Sequence, residues 1–78
     1  MKTVELGDVL PKDALKQLAT VATELQDRQI DTYATYREKV KAILEPHRAY
    51  AEKRGMDIGY LYYAIEYVFS KKGLKIPS

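Results

Sequence analysis

Cysteine and tryptophan are absent from this 78-residue chain, and histidine occurs once, at His47. Without cysteine there is no disulfide framework, no thiol nucleophile and no zinc finger. Glycine is confined to positions 7, 55, 59 and 73, and proline to 11, 46 and 77. Few breakers and long stretches of Ala, Leu, Lys, Gln, Glu and Arg favour helix. No apolar run reaches the roughly 18 residues of a membrane span. The opening Met1-Lys2-Thr3-Val4-Glu5 lacks the apolar centre of a secretion signal, so a cytoplasmic location is expected. A chain this short buries only about 60% of its unfolded surface, which limits it to one domain and leaves monomer stability modest.

Net charge is only +2, too small to announce a polyanion partner. Its distribution is uneven. Residues 1–34 carry four basic and six acidic side chains, whereas residues 35–78 carry nine and five. All seven tyrosines lie after residue 32. The C-terminal half is therefore basic and aromatic, and the N-terminal half acidic and aliphatic.

Residues 1–10 alternate weakly and read as an extended arm. A helix is expected from Pro11 to about Arg28, with Leu15, Leu18, Val21 and Leu25 on one stripe. A second helix over 32–45 carries Tyr36, Val40 and Ile43. The stretch 26–32 is open to two readings: a turn near 29–32, capped by Asp31 or Thr32, or one long helix with a stutter. Pro46 ends or kinks the second helix. A short helix over 47–54 stops at Gly55, and Asp57 caps a last helix over 58–72. Gly73 begins a tail to Ser78. The expected fold is all-α: a single domain, 1–78, built as a small bundle of three to four helices. Leu18, Leu25, Val40, Ile43, Leu61, Ile65 and Val68 form the expected core.

Catalytic groups are scarce. His47 stands two residues from Glu45, but no Ser/Cys nucleophile or glycine-rich phosphate loop accompanies them. Glu24, Asp27 and Asp31 share a face only if the helix runs through, at a spacing that matches no cation loop. The reading is therefore non-enzymatic, with no cofactor and no metal. The last helix, Tyr60-Leu61-Tyr62-Tyr63-Ala64-Ile65-Glu66-Tyr67-Val68-Phe69, is apolar nearly all round. Two neighbouring helices cannot cover all of it, so part of it must be exposed or meet a partner.

Ala51, Gly55, Met56, Leu61, Ala64 and Ile65 have the spacing of a helical corner. A small residue sits at the contact and a glycine in the turn, six residues before a buried aliphatic. The segment over about 47–66 resembles a helix-turn-helix DNA-binding unit. Gly55-Met56-Asp57-Ile58-Gly59-Tyr60-Leu61-Tyr62 is similar to the turn of tetracycline-repressor-type regulators. That resemblance implies a DNA-binding regulator. Ile58, Tyr62 and Tyr63 would then meet double-stranded DNA in the groove, and Arg48, Lys53, Arg54, Lys71 and Lys72 would hold phosphates. The segment departs from the pattern at Arg54, where an aliphatic is usual, and it offers no Arg, Lys, Asn or Gln on the groove face. The competing expectation is a protein–protein assembly module. It would form a homodimer, or bind another protein, through Tyr63 and Tyr67 on the last helix.

Overall fold

A computed structural model describes residues 5–77. Five α-helices follow in order, α1 (Leu6–Val9), α2 (Lys12–Gln26), α3 (Tyr33–Leu44), α4 (Arg48–Lys53) and α5 (Ile58–Lys71), with a 3₁₀ turn at Glu45–His47 between α3 and α4. There is no strand among the described residues. The all-α expectation holds, and each expected helix forms within two residues of its expected bounds.

The expected arm is the main departure. Residues 1–4 lie outside the described set, and residues 6–9 make a helical turn. Leu6, Val9 and Leu10 are spaced for one helical face rather than for a strand. Val9 and Leu10 are buried, and Leu6 packs against the core beside them. Pro11 then forces extended backbone on Leu10 (φ −134°, ψ 143°), which separates α1 from α2.

Three helix ends are built alike. After α4, the Gly55 amide donates to the Glu52 carbonyl and the Met56 amide to the Ala51 carbonyl, with Gly55 at φ 81°. After α5, Gly73 donates to Ser70 and Leu74 to Phe69, with Gly73 at φ 82°. After α2, Arg28 donates to Leu25 and Gln29 to Glu24, with Arg28 itself at φ 60°. Each pair satisfies two orphan carbonyls at its helix end. The chain therefore breaks at 27–32, and buried Ile30 pins the reversal to the core. Thr32, one of the two expected caps, accepts the Thr35 amide at 3.2 Å and starts α3.

The core is one cluster. Ala14, Leu18, Val21 and Leu25 come from α2, Tyr36, Val40, Ile43 and Leu44 from α3, and Ile58, Leu61, Ile65 and Phe69 from α5. Six of the seven expected core residues are in it. Val68 is only half-buried. Leu61, Ile65 and Phe69 repeat every four residues, and Phe69 takes the inward place by packing edge-on to Tyr36 with ring centroids 6.3 Å apart.

Candidate binding surface

α5 lies with Leu61 and Ile65 against the bundle, both fully enclosed. The opposite side carries Tyr60, Tyr63 and Tyr67, which are 56%, 68% and 56% exposed. Their spacing of three and four residues aligns them on one stripe. Tyr60 and Tyr63 are neighbours, ring centroids 6.2 Å apart. The Lys71 ammonium lies 5.7 Å from the Tyr67 ring centroid. On one flank, the Tyr33 hydroxyl donates to Glu66 Oε2 at 3.0 Å, tying the start of α3 to the middle of α5. Exposed aromatic surface of this kind leaves apolar ring area in water.

The corner between α4 and α5 has the expected local build. Ala51 is fully buried, and Gly55 takes the left-handed conformation. Asp57 caps α5 by accepting the Tyr60 amide at 3.2 Å. Two of the residues expected at a DNA groove do not face outward. Ile58 is 7% exposed and belongs to the core, because Ile58, Leu61 and Ile65 share the inward face. Tyr62 is half-buried beneath Arg37, whose guanidinium sits 4.1 Å from the ring centroid. Burial and the nearby Glu45 carboxylate push the Tyr62 phenol above its ordinary value. Tyr63, Lys53, Lys71 and Lys72 are exposed.

The remaining two basic residues already have partners. Arg48 donates through both Nε and Nη2 to the Glu45 carboxylate, at 3.2 and 2.8 Å. This hydrogen-bonded pairing holds the Glu45 carboxyl below its ordinary value. Arg54 stacks 3.5 Å over Tyr50 and donates to the Tyr50 carbonyl. Its stem and planar head cover an aromatic ring instead of entering the core.

Elsewhere, an open cleft of about 670 Å³ lies between the end of α2 and the C-terminal tail, lined by Leu25, Ile30, Leu74 and Ile76 with Arg28, Asp31 and Lys75. No His or Ser lines it, and among the described residues no three His, Asp or Glu side chains cluster as a metal site would require. No described helix is long and apolar enough to cross a membrane. Tyr60 is not among the contact residues expected from the sequence, although it has helical spacing to Tyr63 and Tyr67. Its outward direction depends on which side of α5 the bundle covers. No family model matches the chain, and neither a curated protein nor a solved structure is similar to it.

Proposed function

We propose that this protein is a small non-enzymatic assembly module that associates through the Tyr60, Tyr63 and Tyr67 face of α5. The observation that carries the reading is the exposure of these three rings on the side away from the core. Tyrosine suits such a face. Its ring supplies apolar area, its hydroxyl stays hydrogen-bonded at a wet rim, and few rotamers are lost on contact. A domain of this size also gains proportionately more from burying a further helix face than a large one does. Sedimentation velocity at tens to hundreds of micromolar tests the reading. The wild type should sediment as a dimer and Tyr63→Arg as a monomer with unchanged circular dichroism. A wild-type monomer at high micromolar concentration rejects the reading.

The second reading, a DNA-binding regulator, is favoured by the corner itself, with buried Ala51, left-handed Gly55 and exposed Lys53, Lys71 and Lys72. Here Tyr63 contacts base edges and the lysines hold phosphates. The inward Ile58 and Tyr62 and the Asp57 cap leave the first turns of α5 with no Arg, Lys, Asn or Gln for base-edge hydrogen bonds. Binding would therefore rest on phosphate contacts. Fluorescence anisotropy with a DNA duplex at about 50 mM salt tests it, since electrostatic binding is strongest at low salt. Neutralising Lys53 and Lys71 should flatten the log–log salt slope by about 1.8. Absence of binding at low salt discards this reading.

A further inference from the structure

The exposed face of α5 carries unlike charges at its two ends. Asp57 stands at the N-terminus, Lys71 and Lys72 at the C-terminus, and all three are exposed. Among the described residues none of the three is in an ion pair, for the two ion pairs present are Lys39–Glu24 and Arg48–Glu45. Fourteen residues separate Asp57 from Lys71, which brings them back to one flank of the helix, about 40° apart around its axis. The tyrosine stripe between them has the same symmetry. The point halfway between Tyr60 and Tyr67 falls between Tyr63 and Ala64, and the point halfway between Asp57 and Lys71 falls on Ala64. A single perpendicular two-fold axis beside Ala64 therefore satisfies both pairs.

We propose that a second copy of this chain covers the tyrosine face, with α5 packed antiparallel on the partner's α5. Tyr60 then lies beside the partner's Tyr67, Tyr63 packs near the axis, and Asp57 meets the partner's Lys71 on both sides. The inference rests on the assembly reading above and adds the partner and its orientation. Charge decides between the two possible two-fold pairings. A parallel pair sets Lys71 and Lys72 against their own copies and Asp57 against Asp57, and it aligns the helix dipoles. The antiparallel pair opposes the dipoles and joins unlike charges twice. Flank contacts of this kind choose orientation more than they add affinity.

Because the chain has no cysteine, single spin labels can be placed without background. Ala64→Cys and Ser70→Cys each give one label per copy, and pulsed dipolar spectroscopy reads the distance between copies. Antiparallel packing places the two Ala64 sites near the axis and separates the two Ser70 sites by about 19 Å along the helix. The Ser70 distance should therefore exceed the Ala64 distance by roughly 10 Å. In addition, Lys71→Glu should raise the dimer dissociation constant about tenfold, whereas Lys53→Glu, the same charge change on α4, should leave it unaltered. Equal label distances in a dimer overturn the antiparallel arrangement while leaving the assembly reading intact. A dimer indifferent to Lys71→Glu overturns the charge pairing. A wild-type monomer overturns both the inference and the reading beneath it.

Discussion

Tyr36 and Arg28 each break a local rule, and each gives a test. The Tyr36 ring is enclosed between Tyr33 and Phe69, and its hydroxyl has no hydrogen-bond partner among the described residues. A buried hydroxyl left unpaired costs about 1–3 kcal/mol. Tyr36→Phe should therefore stabilise the fold by about 1 kcal/mol, raising Tm by roughly 4–8 °C. A lower Tm in a thermal melt would show that the hydroxyl is satisfied. Burial also pushes the Tyr36 phenol well above its ordinary value. A group raised in the folded state contributes stability below its unfolded pKa of about 10 and loses it as pH rises beyond that. Chemical denaturation at alkaline pH should accordingly show a smaller loss for Tyr36→Phe than for the wild type. Arg28 holds φ 60°, the place a glycine occupies at the ends of α4 and α5. Left-handed backbone costs an ordinary residue about 1–2 kcal/mol, and glycine loses about 0.5–1 through unfolded-state entropy. Arg28→Gly should stabilise by about 0.5–1 kcal/mol, read from urea midpoints.

At the scale of the element, the helix ends were the most legible feature. Gly55 and Gly73 identify two stops, because only glycine takes that conformation without strain. The third stop, at Arg28, gives no such signal, which is why a turn and a continuous helix were both open over 26–32. The extended arm expected over residues 1–10 gives way to a helical turn over 6–9 for a related reason. Val4 and Leu6 suggest alternation, but Leu6, Val9 and Leu10 are a helical triplet too short to stand out before Pro11. The turn forms because α2 supplies the surface on which Val9 and Leu10 are buried. Asp57 starts α5 through the hydrogen bond it accepts from Tyr60. Asp57→Ala should cost about 1 kcal/mol in thermal stability. Asp57→Asn, an equally good cap, should leave monomer stability nearly unchanged. Equal losses in the two variants would assign the effect to charge rather than capping.

For the whole molecule, stability and assembly are linked. If α5 pairs with a second copy, association stabilises the folded state by mass action. Tm should rise when protein concentration increases from about 5 to 500 μM, and Tyr63→Arg should abolish the rise without lowering the dilute-limit Tm. Differential scanning calorimetry at several concentrations checks this. A concentration-independent Tm in the wild type would leave the tyrosine face unoccupied in solution.

The chain's periodicity and its breakers determined the helical class, the order of the elements and most of the core, since amphipathic spacing and capping are local properties. They also located the aromatic excess on α5. Which tyrosines of α5 face outward was a tertiary outcome. Tyr60, Tyr62, Tyr63 and Tyr67 are alike in sequence, yet Tyr62 is covered by Arg37 of α3 while the other three remain exposed. Ile58 likewise enters the core because α5 rests on the Leu61–Ile65 side. The angle at which a helix presents itself is set by the volumes of the neighbours it packs against, and those come from residues distant in the chain.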